Sequence, residues 1–541
     1  MPARVGLKAL VVLDELELRM RRSASRIAAL ARRHIPGIGP EEVEAASDLL
    51  AAASALSAHE GTLKTVSEEL AAALAKVAPG GLPEAACAAG TLAWLSRAAA
   101  GDASALERAA AWARELARSD GPIDSRALLA LSKAAAATGD GGLAERARRA
   151  ASASPQDEPA VPALERARAM VALGGEENLS RARSVQERVS RQWFLPTGGV
   201  SAPSGGSDPV AQAEWVALAG ELYDSAPHVR QLDTIEVAAL NQVLFEQSDD
   251  GGGIADRTLE GASGSVQDAR ATPALGSTLA AVAARVLSVD PDGSLVAGLA
   301  ANANAVLSLG GGAGMRCLVS TQLPVRGWTC WVFEPRETPG LAPAVTTARR
   351  TTRRQRPVIV NATGGEVRKE EPPATFSFRV RVPKWALDEK NPPLIKIDGE
   401  KANVRKAGGF ACFEVPTNRT TKIEMTVNVR PDIVDRRSAA SWAREVAISY
   451  GPLVLTASAR LNPGEDLGLP FRIASTIEEL ELVGDIRRRL PIVQARALGG
   501  GGRISRILFS PISEIGGIAE GLGGTHPVWC VPFRTWHRWG R

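Results

Sequence analysis

Strand periodicity between Phe376 and Leu455 constrains this chain more than any other stretch. In FSFRVRVPKW, Phe376, Phe378, Val380 and Val382 alternate with Ser377, Arg379 and Arg381, the period-two pattern of a strand with one wet face. Leu394 to Ile397 then meets Asp398-Gly399, a dipeptide suited to the positive φ angles of a tight hairpin, and the chain returns through Val404 towards Phe410 and Phe413. A further alternating run, Ile423, Met425, Val427 and Val429, precedes EVAISYGPLVLTA, an apolar strand pair around Gly451-Pro452. Together these signals predict a β-sandwich with its core strands over 376–455.

Upstream the chemistry changes. Residues up to about Asn241 are rich in Ala, Leu, Arg and Glu and fall into amphipathic blocks such as Leu49-Leu50-Ala53-Leu56 and Leu92-Leu95. The blocks stop at Pro36-Gly37, Pro79-Gly80-Gly81, Gly121-Pro122, Gly139-Asp140-Gly141-Gly142 and the loop from Pro155 to Pro162. Two segments look alike, SRALLALSKAAAATGDGGLAERARRAA and LERARAMVALGGEENLSRARSVQERV, each a helix, a glycine turn and a second helix. Repeated helix pairs suit an α-solenoid or an (α/α) barrel, and the residues alone leave the two open.

Residues 251–276 are rich in Gly, Ala and Ser and read as a loop or rim, followed by a helix over about Thr278 to Leu287. Strand periodicity returns in DPDGSLVAGLAANANAVLSL and MRCLVSTQLPVRGWTCWVFEP. The expected division is a helical domain over 1–290 and a β-sandwich region over 291–541, in a chain of 541 residues that is long enough for more than one core.

With 64 basic and 60 acidic residues no large single-signed field is implied, so nucleic acid is not expected as a partner; the basic run from Thr346 to Arg356 reads as a solvated loop. Five cysteines, Cys87, Cys317, Cys330, Cys412 and Cys530, contain no C-x-x-C pair and read as reduced, mostly buried thiols. Cys330, between two tryptophans, and Cys412, in an alternating strand, are expected to be structural, and Cys530 near His526 lacks two further ligands for zinc. The apolar run near the N-terminus is broken by Asp14, Glu15 and Glu17, unlike a signal peptide, and no uninterrupted apolar stretch suits a membrane span. A soluble, cytoplasmic protein without a membrane partner is the expectation.

The order RVRVPKWA, a short strand ending in IDGE, GFACFEV, a charged strand and REVAISYGPLVL resembles the β-sandwich that follows the helical barrel in the bacterial β-L-arabinofuranosidase family. The likeness extends to Thr197–Val200 (TGGV), to DTIEVAALNQVL at Asp233–Leu244 and to the tail VPFRTWHRWGR. It implies a multidomain α and β fold, an N-terminal all-α (α/α) barrel followed by a C-terminal β-sandwich. It also implies a glycoside hydrolase that uses a cysteine nucleophile beside zinc.

The family's site does not map onto this chain. The resemblance places a general acid/base glutamate in the loop after TGG, but VSAPSGGSDPV has no carboxylate before Asp208. Where Glu-x-Cys would hold zinc stand Asp208-Pro209-Val210, and where Cys-Cys-Pro would supply two thiols stand Ala271-Thr272-Pro273. The family's sugar-contacting histidines align near Ser125-Arg126 and Val161-Pro162, and none of His34, His59, His228, His526 and His537 lies there. No zinc or other cofactor is therefore expected, and no residue is a firm catalytic candidate.

Relocated carboxylates could still hydrolyse a glycoside, since that chemistry needs two of them across the sugar. Those near the expected barrel mouth are Asp208, Glu214, Asp249, Asp250, Asp256 and Glu260, of which Asp208, Glu214 and Asp250 are the weak candidates kept. Asp249-Asp250 before three glycines is most simply a solvated turn, and Glu214 lies beside the buried face marked by Trp215, Leu218 and Leu222. Trp193, Trp215, Trp328 and Trp331 are the candidate platforms for stacking a sugar, against the plainer reading of core tryptophans. The readings left are a non-catalytic, glycoside-hydrolase-like protein with a carbohydrate-binding or protein-assembly role (a protein partner or self-association), an active hydrolase with relocated carboxylates, and a helical-repeat interaction scaffold.

Overall fold

The computed structural model describes residues 6–12, 15–59, 61–118, 121–152, 158–193, 198–201, 208–248, 250–255, 265–266, 269–309, 313–337, 359–360, 366–367, 375–387, 391–436, 445–458, 461–465, 467, 472–483, 491–498, 503–512 and 531–532. Two compact units form, neither continuous in sequence: one takes residues up to Asp14 and Ala284–Asn428, the other Glu15–Ala283 and Val429–Arg541. A single boundary near 290 marks the change from helix to strand but does not separate these units.

The helical part of the second unit contains α1 (Glu15–His34), α2 (Val43–Ser57), α3 (Thr62–Leu74), α4 (Glu84–Ala99), α5 (Ala103–Ala117) and α6 (Ser125–Thr138). It continues through α7 (Gly141–Ser152), α8 (Ala160–Leu173), α9 (Glu176–Gln192), α10 (Pro209–Ser225), α11 (Val229–Ala238) and α12 (Ala271–Ala283). The even-numbered helices pack in the order α2, α4, α6, α8, α10, α12, and α12 returns to pack on α2. The ring is closed, an (α/α) barrel with the odd-numbered helices outside, and the choice that periodicity left between solenoid and barrel is decided by that last contact. Small residues let the helices approach: a Cβ on Gly90 of α4 would lie 2.2 Å from the Trp112 ring of α5, and one on Gly276 of α12 would lie 2.5 Å from Ile27 of α1.

Helix ends follow ordinary capping chemistry. Asp102, Asp124 and Asp208 each accept a backbone N–H of the first turn of α5, α6 and α10, and Gly139 closes α6 in the left-handed conformation at φ 70°. The glycine-rich stretch 251–276 is less open than its composition implies, because α12 already begins at Ala271 within it. Among the described residues no helix is long and apolar enough to cross a membrane.

The other unit is a two-sheet sandwich. Its seven-stranded sheet runs in the spatial order Gly6–Val12, Ala303–Ser308, Ala313–Thr321, Trp328–Glu337, Thr421–Thr426, Leu394–Ile397 and Glu400–Lys401. The facing sheet has five strands: Arg405–Ala407, Phe410–Pro416, Thr375–Arg381, Leu295–Ala297 and Ser288–Val289. The layers meet through edge-on aromatic rings, Phe333 against Phe376 at 5.4 Å and against Phe378 at 4.9 Å, with all three side chains fully buried. Asp398 and Gly399 turn the predicted hairpin at φ 50° and 91°, but it is only two residue pairs long, and Phe410–Pro416 pairs instead with Thr375–Arg381 in the opposite layer. The stretch 376–455 also divides: the strands after Val429 belong to an eight-stranded sheet of the unit that carries the barrel. Alternation sets the face on which a side chain lies; it does not choose the strand's partner.

Within that unit the sheet is tied to the barrel by Asn241, fully buried in a single wide turn, Ala239–Val243, after α11. Its amide donates to the Pro452 carbonyl at 2.8 Å, and its oxygen accepts the Val454 N–H at 2.7 Å. Phe245 packs beside it on Ala447, Val454 and Ile512. Asn241→Ala leaves a buried N–H and a buried carbonyl without this partner and is expected to cost about 1–3 kcal/mol, read as a lower denaturant midpoint with unchanged slope.

Candidate functional site

Inner and outer helices alternate along the chain, so the inner helices run the same way and present their first turns at one end of the lumen. Four of them bring charge there. Glu44 and Asp48 lie in the first two turns of α2, Ser125 and Arg126 open α6, Glu165 and Arg168 lie in the second and third turns of α8, and Glu214 lies in the second turn of α10.

These groups form one connected network. Arg126 donates to Glu44 at 2.7 Å and also to Asp48. Ser125 Oγ donates to Glu165 at 2.5 Å, and the Glu165 residue is only 6% exposed. Arg168 donates to Glu214 at 2.6 Å and, from the same guanidinium, to Glu221 at 2.8 Å, while Lys133 of α6 reaches Glu221 at 2.7 Å. Planar guanidinium groups suit such two-sided pairing, and burial without it would be prohibitive.

Burial and pairing drive the carboxyls apart. Burial raises Glu165 to about 7, helped by the nearby Glu214 and opposed by the Ser125 hydrogen bond, Arg126 and Arg168. Burial also raises Asp48, with Arg126 offsetting only part of the effect. Burial would raise Glu221 too, but Arg168 and Lys133 hold it at about 2. The arrangement therefore contains one carboxyl, Glu165, that holds a proton near neutrality and another, Glu221, that stays ionised, the division of roles that acid–base chemistry or mixed donor–acceptor recognition of hydroxyl groups requires.

The other residues singled out in the sequence fall elsewhere. Asp208 caps α10 through the Val210 N–H at 2.9 Å. Asp250 accepts from Arg26 at 2.8 Å and from Ser248 at 2.5 Å with its side chain 54% exposed, a solvated turn. Trp215 is buried and donates to the Gly198 carbonyl at 3.1 Å, fastening the segment before α10, and Trp193 sits half-buried at the end of α9. Trp328 and Trp331 belong to the sandwich unit, where Trp331 packs edge-on to Phe378 at 5.9 Å. Asp249, Asp256 and Glu260 lie outside the described residues, as do Cys530, His526 and the basic run 346–356.

Of the named candidates among the described residues only Glu214 joins the network. Glu165 and Arg168 were missed because Leu-Glu-Arg-Ala-Arg reads like a solvated helix face; their signal is that Ala163, Leu164, Ala167, Ala169 and Met170 surround the charges with buried positions on nearly every side. Ser125-Arg126, located as the place of a family histidine and set aside for lacking one, is at the centre of the site.

The donor set required for zinc does not assemble here. At the positions aligned with the thiols, Ala271 is buried without a donor, and the Thr272 hydroxyl accepts the Gly253 N–H at 3.0 Å. Cys87, on inner helix α4, donates towards the Pro79 carbonyl at 3.5 Å, and burial with Glu115 and Glu84 nearby pushes its thiol up to about 11, away from the thiolate form that metal binding needs. Among the described residues no three His, Cys, Asp or Glu side chains converge as ligands.

No protein-family model matches the chain, and no curated protein matches it. Solved structures do. A GH127 β-L-arabinofuranosidase from Geobacillus stearothermophilus T6 superposes with a TM-score of 0.72 at 15% identity, over 97% of this chain and 100% of the other. A protein described as a glycoside hydrolase gives 0.73 at 13% identity, over 98% of each chain, and a GH127 β-arabinofuranosidase gives 0.70 at 15% identity, also over 98% of each. The chain thus shares the fold of these structures over nearly its whole length, at 13–15% identity.

The Glu165 carboxyl makes a checkable demand on stability. Its folded value, about 7, lies above the ordinary 4.5, so the folded state binds the extra proton between those values, and stability falls as pH rises through that window. Glu221 acts in a separate window: its depressed value adds stability that is lost as pH falls from about 4.5 towards 2. Glu165→Gln is expected to remove about 1–3 kcal/mol of the decline between pH 4.5 and 7, measured as a flatter dependence of denaturant midpoint on pH.

Proposed function

We propose that this chain is a glycoside-hydrolase-like, carbohydrate-binding protein that does not use cysteine–zinc chemistry. The observation that carries the reading is the substitution of the reacting end of the lumen: Ala271 and Thr272 stand where the resemblance places thiols, and a ring of carboxylates and guanidinium groups on α2, α6, α8 and α10 occupies the surrounding wall. Carboxylates accept from sugar hydroxyls and guanidinium groups donate to them, so the network suits a polyhydroxylated ligand. Closure of the helical ring supports a ligand in the lumen over a role as an open repeat scaffold. The β-L-arabinofuranosidase activity of the Geobacillus stearothermophilus neighbour is the first chemistry against which to set this one.

A second reading has one specific observation in its favour. Glu165 is held protonated near neutrality by burial beside Glu214 on the adjacent inner helix, as a proton donor in glycoside hydrolysis must be. Two measurements separate the readings: zinc content of the purified protein, and hydrolysis of a panel of aryl glycosides that includes the β-L-arabinofuranoside. The proposed function expects sub-stoichiometric zinc and no turnover, with L-arabinose or a related sugar detected as a ligand by saturation-transfer NMR. Turnover that disappears in Glu165→Gln, without zinc, would replace it with the hydrolase reading; stoichiometric zinc with turnover would overturn both.

A further inference from the structure

We propose that Arg126 is a latch across the barrel lumen, an internal contact that must release before a sugar can enter. The inference rests on the carbohydrate reading above for the identity of the ligand, but not for the latch itself. Its basis is an ion pair between helices that are not neighbours. In the inner ring α4 lies between α2 and α6, and α2 and α6 do not pack on one another. Arg126, the second residue of α6, nevertheless reaches both Glu44 and Asp48 of α2. The outer side of the ring at this point is filled by α3 and α5, which pack on α2, α4 and α6, so the connecting side chain passes through the lumen. The first turns of α4 offer only small side chains after Glu84, namely Ala85, Ala86, Cys87, Ala88 and Ala89.

A second span lies deeper. Lys133 of α6 reaches Glu221 of α10 past α8, and Arg168 of α8 joins the same carboxylate. Arg168 and Lys133 share the Glu221 carboxylate, and Arg168 also holds Glu214, a mutual pairing that makes them a fixed floor. Arg126 is the movable member, because each of its partners sits at the helix starts and Glu44 is the more exposed, at 39%.

The electrostatics also select the ligand. Around Arg126 stand Glu44 and Asp48 on α2, Glu165 on α8 and, beyond it, Glu214 on α10, with Arg168 and the nearby Arg270 as the other cations. A uronate or sugar phosphate would have to displace two carboxylates from one guanidinium while facing two more. A neutral sugar takes the place of the guanidinium without adding negative charge: its hydroxyls donate to Glu44 and Asp48 once Arg126 has moved aside. The occupant is therefore a neutral, polyhydroxylated ring.

The test is hydrogen–deuterium exchange on the full chain, with L-arabinose binding followed by saturation-transfer NMR. In Arg126→Gln the amides in the first turns of both α2 and α6 are expected to exchange about five- to tenfold faster than in the parent, and the variant to bind L-arabinose several-fold tighter, because no latch has to be broken. Arg126→Lys keeps the charge and guards against a folding defect; it is expected to restore slow exchange at both helix starts. Arg114→Gln, which breaks an exposed pair with Asp140, is expected to leave both regions unchanged. Faster exchange confined to α6 would overturn the latch, as would weaker sugar binding by Arg126→Gln, which would make Arg126 a ligand contact. If no sugar binds any variant, the carbohydrate reading fails by itself, and the latch stands or falls on whether α2 and α6 respond together.

Discussion

Closure of the helical ring is the constraint on which the rest depends. Once α12 packs on α2, six parallel helices enclose a lumen that their mostly Ala and Leu side chains do not fill by themselves, and whatever projects inward is withdrawn from bulk water. A charge in that position is tolerated only with a partner, so each inward Arg, Lys or Glu imposes another on a neighbouring helix. Arg168 satisfies Glu214 and Glu221 together, and Lys133 shares Glu221. Buried pairs of this kind are poor sources of net stability, but removing one member leaves the other stranded, so they fix which helices face each other.

Ala271 and Thr272 at the start of α12 carry no thiol, and the ordered charge of the wall is an ion-pair network. A zinc–thiolate centre is itself a dense charge that organises the residues around it. In this chain Arg126 with Glu44 and Asp48 orders the mouth, while Lys133 and Arg168 with Glu221 order the wall below. Thr272 has turned its hydroxyl to the Gly253 backbone, which makes the start of α12 a structural contact.

Sequence periodicity carried much of the architecture because it reports the quantities that decide it. The alternation Phe376, Phe378, Val380 places those side chains in the interior, where all three are found, and the glycine turns at Gly139 and Gly174 end the helices they were read to end. Partner choice was not legible. Nothing in Phe410–Pro416 distinguishes pairing with Leu394–Ile397 from pairing with Thr375–Arg381, since both alternate equally well, and the second is what packing of Phe378 on Phe333 and Phe413 selects. The backbone of the N-terminal run Gly6–Val12 pairs with Ala303–Ser308, about 300 residues away in sequence, a distance over which no local pattern speaks.

The candidate site was legible in position and illegible in composition, for a physical reason. Alignment on the glycine turns points to Ser125-Arg126, which open α6 behind the capping Asp124, because a helix start is a local signal of capping residues. Which charges face inward is a property of the closed ring. On an isolated helix Glu165, Arg166 and Arg168 form one polar stripe; in the barrel Arg166 pairs with Glu158 just ahead of the helix, whereas Glu165 and Arg168 turn towards α6 and α10. The same three residues thus divide between local and lumenal roles on the strength of neighbours 40 to 50 positions away, which is why a carboxyl raised to about 7 lies inside a run that reads as surface.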